Sequence, residues 1–198
     1  PGEAPTGPAA DVNRDGYDDL VVRTSAGPGK AAVVLGGPDG PARTGVTLPT
    51  GVDVALGAFG KGKALDAAVG TPDTTALRYD LPTASRGGVD TPGSLLDAAD
   101  FDGDGLSELV SSGSAVRVYP GRATGPTTRG AVTVRPASAG TTRVLTAADF
   151  DGDGLADLVL RTHRGDTEDT VEVHRGTAKG VVTARAAVTF STSQFLTR

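Results

Sequence analysis

Ala148-Asp149-Phe150-Asp151-Gly152-Asp153-Gly154-Leu155-Ala156-Asp157-Leu158-Val159-Leu160 sets acids on alternate residues, then a Gly, then one more acid, and ends in an apolar run. The same order stands at Ala99-Asp100-Phe101-Asp102-Gly103-Asp104-Gly105-Leu106-Ser107-Glu108-Leu109-Val110. It stands again at Ala10-Asp11-Val12-Asn13-Arg14-Asp15-Gly16-Tyr17-Asp18-Asp19-Leu20-Val21-Val22. Asp11 and Asp100 are 89 residues apart, whereas Asp100 and Asp149 are 49 apart, so the longer gap should hide a fourth copy. Gly57-Ala58-Phe59-Gly60-Lys61-Gly62-Lys63-Ala64-Leu65-Asp66-Ala67-Ala68-Val69 fills it, keeping the Phe, the last acid and the apolar tail while losing three acids.

Each copy continues in the same way. An alternating segment ends in a Gly turn at Val33-Val34-Leu35-Gly36, Val116-Arg117-Val118-Tyr119-Pro120-Gly121 and Val171-Glu172-Val173-His174-Arg175-Gly176. A Val/Thr segment follows at Gly45-Val46-Thr47-Leu48, Ala131-Val132-Thr133-Val134 and Ala187-Val188-Thr189-Phe190. With a strand leading into the acidic loop, every unit holds four short strands, which is the make-up of a propeller blade. The expected fold is therefore all-β, a β-propeller of four-stranded blades. Its units are about 9–52, 53–94, 95–143 and 144–198, after a Pro/Gly linker or N-terminal extension at 1–8. Gly (29) and Pro (13) punctuate the chain too densely for long helices.

In Asp-x-Asp-x-Asp-Gly-x-x-Asp the acids at positions 1, 3 and 5 lie on a tight turn where their oxygens can converge on one point. A set of hard oxygens suits Ca²⁺, which takes 6 to 8 of them. Gly at position 6 supplies a positive φ, position 7 offers its backbone carbonyl and the acid at position 9 closes the cage. The candidate ligands are Asp11, Asn13, Asp15, Tyr17 and Asp19 in the first loop. They are Asp100, Asp102, Asp104, Leu106 and Glu108 in the third, and Asp149, Asp151, Asp153, Leu155 and Asp157 in the fourth. Three Ca²⁺ are expected. The second loop, with Ala58, Gly60 and Gly62 at ligand positions and Lys61 and Lys63 beside them, is expected to hold none. An EF-hand begins alike but closes at position 12, here Val22, Ser111 and Leu160, and lies between helices. Asp-Gly clusters also serve as plain turns. Three in register argue against that reading, because grouped carboxylates without a cation repel one another.

These loops resemble FG-GAP repeats, the integrin-α-type blades with the same Asp-x-Asp-x-Asp-Gly-x-x-Asp signature, and the likeness runs from about Pro8 to Arg198. The resemblance implies a β-propeller, commonly seven-bladed, with calcium between the first and second strands of its blades. It also implies an extracellular ligand-binding or scaffold role.

Other signals are weaker. Arg164-Gly165-Asp166 spells an adhesion tripeptide, but so short a motif carries little weight in a chain this rich in those residues. His163 and His174 are expected on solvated surface. Phe59, Phe101 and Phe150 hold one repeated position and are expected to pack alike. No nucleophile elbow, zinc-protease motif or phosphate loop occurs, so no catalytic residue is assigned and a non-enzyme is expected. The absence of Trp disfavours a sugar-stacking platform, leaving a lectin-like propeller as an alternative. A non-catalytic part of a secreted hydrolase or lyase is another.

A net charge of −5 without a basic tract argues against nucleic acid, and no apolar run reaches the roughly 18 residues of a membrane span. Cys is absent, which excludes disulfides and thiolate metal sites. Met is absent as well, so an N-terminus that was processed, excised or engineered is expected; the secreted or surface location expected for the chain is what the FG-GAP resemblance implies. The partner should be a protein or carbohydrate ligand. Either the four blades close a ring by themselves or, as the family resemblance favours, further blades from a missing segment, a second cleaved chain or a second copy extend them.

Overall fold

The computed structural model describes residues 6–24, 28–42, 45–71, 73–82, 85–89, 95–163, 165 and 169–195. Among the described residues sixteen strands form four separate sheets. The first holds β1 (Thr6–Ala10), β2 (Asp19–Arg23), β3 (Gly29–Val34) and β4 (Gly45–Gly51). In the second lie β5 (Asp53–Gly57), β6 (Asp66–Gly70), β7 (Thr75–Tyr79) and β8 (Ser85–Val89). The third is β9 (Leu95–Ala99), β10 (Glu108–Ser112), β11 (Val116–Tyr119) and β12 (Val132–Val134). The fourth is β13 (Thr141–Ala148), β14 (Asp157–His163), β15 (Thr170–His174) and β16 (Val188–Ser191). Each is an antiparallel meander in chain order, and strands make up 49% of the chain. This is the all-β, four-bladed architecture that the repeat predicted.

The first strands of successive blades lie side by side, β1 against β5, β5 against β9 and β9 against β13, so the blades pack face to face around them. Alternation along each second strand then decides which neighbour a side chain meets. At position 10 of the repeat, Ala67, Leu109 and Leu158 are fully buried against the preceding blade. One residue on, Val21, Ala68 and Val110 are fully buried against the following blade. Cross-strand pairs such as Val110 with Val118 carry the same face into the third strand. The three apolar clusters of the described residues are these three interfaces, each joining one blade to the next.

Several expectations are corrected. Thr6, Gly7 and Pro8, which the sequence reading assigned to a linker, belong to β1. His174 is fully buried, not solvated, because it pairs with Leu158 on the face turned to the third blade; its Nδ1 lies 2.9 Å from the Thr183 carbonyl. Phe59 and Phe101 are fully buried, but Phe150 is exposed, so the repeated packing role holds for two of the three. After β16 the chain makes a single 3₁₀ turn at Thr192–Gln194. Arg164 and Asp166 of the tripeptide lie outside the described residues.

Candidate metal centre

Each acidic loop joins the first strand of a blade to the second, and a ladder of backbone-to-carboxylate hydrogen bonds shapes it. The position 1 carboxylate accepts from N–H groups across the loop. Asp11 takes those of Asp15 (3.0 Å) and Gly16 (2.9 Å), Asp100 those of Gly103 (2.8 Å) and Gly105 (2.9 Å), and Asp149 those of Gly152 (2.6 Å) and Gly154 (3.0 Å). Position 5 donates its N–H to the position 3 side chain, at 3.1 Å from Asp15 to Asn13 and 3.2 Å in the other two loops. Position 7 donates to position 5, from Tyr17 to Asp15, Leu106 to Asp104 and Leu155 to Asp153. Such a curl requires the left-handed region at position 6, and Gly16, Gly105 and Gly154 have φ of 93°, 86° and 87°.

The curl brings carboxylates together in two loops. Oxygens of Asp100, Asp102 and Glu108 all lie within 4.8 Å of one another, as do those of Asp149, Asp151 and Asp153. The two sets differ in membership, since the third loop draws in its position 9 acid and the fourth its position 5 acid. No such triple forms in the first loop among the described residues. There the Asn13 amide nitrogen donates to Asp15 Oδ2 at 2.9 Å, so a neutral donor stands where the other loops have a carboxylate.

The electrostatics follow from these positions. Burial, then the neighbouring Asp104 charge, pushes the Asp102 carboxyl up. Burial pushes Glu108 up to about 7 against the pull of two backbone N–H groups. Asp149, exposed and held by the Gly154 and Gly152 amides, is shifted down. In the fourth loop the Arg175 guanidinium sits 3.1 Å from Asp151 and already offers one positive charge to the cluster.

Position 9 has a second task that the sequence did not reveal. Asp19 accepts from the Val12 and Gly36 amides (2.8 and 2.7 Å), Glu108 from Phe101 and Gly121 (2.8 and 2.9 Å), and Asp157 from Phe150 and Gly176 (both 3.1 Å). Each buried acid thereby ties its loop to the end of the third strand. Asp66 does the same in the second blade, accepting from the Asp80 amide at 2.6 Å, although that loop has lost its other acids. The signal was present in the sequence as the one acid kept in all four copies.

The second loop is closed without a metal set. Asp80 Oδ1 accepts from the Lys63 and Ala64 amides, both at 3.0 Å, and a Cβ at Gly62 would come within 2.8 Å of it. A carboxylate from the end of β7 thus does for this loop what position 1 does for the others.

The donor sets of the first, third and fourth loops are hard oxygens on a preformed turn, so their chemistry fits a calcium-class cation. Among known families, a model of the FG-GAP-like repeat matches residues 100–160, and one of the FG-GAP repeat matches residues 141–183. No curated protein matches the chain. FG-GAP repeats build β-propeller-like protein-binding modules, generally without catalysis. The matched residues cover the third and fourth acidic loops and the strands on either side, and the chain carries FG-GAP repeats.

Proposed function

We propose that the chain is a secreted, calcium-stabilised propeller module that binds another protein and has no catalytic role of its own. The observation that carries the calcium reading is the meeting of three carboxylates within 4.8 Å in each of the third and fourth loops. Like charges held so close call for a cation. Asp100, Asp102, Asp104 and Glu108 with the Leu106 carbonyl would hold one ion. Asp149, Asp151, Asp153 and Asp157 with the Leu155 carbonyl would hold another. Asp11, Asn13, Asp15 and Asp19 with the Tyr17 carbonyl would hold a third, the weakest because it has one carboxylate fewer. Calcium neutralises these carboxylates and fixes the loops, a structural task. Secretion accords with this, because extracellular calcium modules bind with Kd on the order of 10⁻⁴ to 10⁻³ M and need a calcium-rich medium.

Calorimetric titration with calcium tests the reading. Three sites are expected, with Asp151→Ala removing one and leaving two. Four equivalent sites, or none, would refute the ligand assignment.

A further inference from the structure

At the end of the blades opposite the acidic loops, a cavity of about 510 Å³ opens between the third and fourth blades. The turn from β10 to β11, the end of β12 and the connection from β12 to β13 line it. Val116, Val134, Pro136 and Ala139 give it apolar walls, while Ser138 and Thr142 bring hydroxyls. The Thr142 hydroxyl is engaged with that of Thr162 at 2.8 Å. Ser138 Oγ is buried with no hydrogen-bond partner among the described residues.

Glu172 stands directly behind this wall. It pairs with Leu160, a residue of the apolar joint, so its side chain faces the third blade and is 1% exposed. Its Oε1 accepts at 2.9 Å from the amide of Ala137, which lies between the lining residues Pro136 and Ser138. Its Oε2 is buried with no hydrogen-bond partner among the described residues. Packing does not call for an acid at this place. The strand register puts Ala32, Ala76 and Arg117 at the equivalent position of the other blades, and the arginine is exposed. A buried carboxylate oxygen left without a donor costs free energy. Arg135 also lines the cavity, but it is exposed and makes no ion pair among the described residues.

We infer that the cavity is a binding site for a primary alkylammonium group, with its nitrogen at Ser138 Oγ over the Glu172 carboxylate and its chain along Val116, Val134 and Pro136. Three features select this class of ligand. The volume lies within the roughly 300–1,000 Å³ of small-molecule sites and far above the roughly 30 Å³ share of one water, so the occupant is an organic group. An ammonium carries three N–H donors, enough for both unpartnered oxygens, and its bond to a carboxylate is charge-assisted. Calcium would need 6 to 8 oxygens, and two fall short of that. The apolar walls then take methylenes, as they would the stem of a lysine. The group can come from a lysine side chain of a bound protein or from a free amine. The inference stands on the cavity and does not rest on the calcium reading.

Titration of the ¹⁵N-labelled 198-residue chain with Nα-acetyl-lysine methylamide and with n-butylammonium, followed by amide chemical shifts, tests it. Saturable shifts are expected at 113–116 and 133–142, with Kd on the order of 1 mM for so small a probe. The uncharged Nα-acetyl-norleucine methylamide should bind at least about tenfold more weakly. Glu172→Gln keeps an acceptor for the Ala137 amide and removes the charge, and it should weaken the lysine probe by about tenfold or more with an unchanged circular dichroism spectrum. Ser138→Ala, on a surface connection, should weaken it as well and gives the same reading should Glu172→Gln fail to fold. Tighter binding of the lysine probe than of butylammonium assigns the site to a protein side chain, and the reverse to a free amine. Absence of saturable shifts would overturn the inference, and so would equal binding of the norleucine probe or binding undiminished in both variants. Preference for Nα-acetyl-glutamate methylamide would overturn it in favour of an anion held by Arg135. None of these outcomes bears on the number of calcium sites, which calorimetry reads separately.

Discussion

Asp80 Oδ1 lies 3.0 Å from the amide nitrogen of Lys63, and that one carboxylate replaces the missing first acid of the second loop. It accepts from Ala64 too, so its removal orphans two amides. Hydrogen bonds to a charged acceptor contribute about 1.5–3 kcal/mol, and Asp80→Ala should destabilise the chain by about that much in urea denaturation. The loss should be the same in calcium and in chelator. Asp80→Asn keeps an acceptor and tolerates the φ of 57°, so it should cost less.

The position 9 acids allow the metal and the framework to be separated. Glu108 is buried with both oxygens on backbone amides, and Glu108→Ala should cost at least about 2 kcal/mol even in chelator, because two buried donors lose their partner. Asp102 accepts the Asp104 amide and lies in the carboxylate cluster. Asp102→Ala should therefore abolish most of the calcium-induced rise in Tm assigned to the third loop and change the calcium-free Tm little. Thermal scans of both variants, with and without calcium, check the contrast.

How much of this was legible beforehand depended on whether a feature repeats. The blade order and the loop curl recur, so register alone exposed them: four strands per unit and acids at positions 1, 3 and 5 were readable from spacing. Features made by long-range contact were hidden. Asp80 reaches the second loop from 17 residues away, and nothing in its local sequence marks it as a substitute for position 1. His174 looked polar and alternated with Val173, but alternation fixes only that a residue changes face, not which face is covered. Arg161, His163 and Asp169 were not grouped in advance, because the strand register that brings them together follows only from the fold.

Phe101 and Phe150 occupy the same repeat position, yet only Phe101 has a blade in front of it. Removing a fully buried Phe costs about 3–5 kcal/mol, so Phe101→Ala should shift the urea midpoint strongly. For a surface site the change usually stays within about 0.5 kcal/mol, and Phe150→Ala should fall there when the chain is measured as a dilute monomer. Denaturation curves for the two variants read the difference directly.

Asp169 supplies a pH-dependent contribution on the outer side of the fourth blade. It accepts from Arg161 and lies 2.7 Å from His163 Nδ1, and these bonds, that of His163 first, hold its carboxyl below the ordinary value of 3.8. A carboxyl whose folded pKa is lowered binds its proton more weakly than the unfolded chain does. Its stabilisation is therefore fully present above 3.8 and is lost as the pH falls through the lower folded value. Asp169→Asn should accordingly reduce Tm at neutral pH. The gap to the parent chain should narrow only once the pH drops below 3.8. Thermal denaturation from neutral pH down to the acid limit of folding checks the sign. A gap that stayed constant over that range would mean that Asp169 acts through packing or its neutral hydrogen bonds and not through its charge.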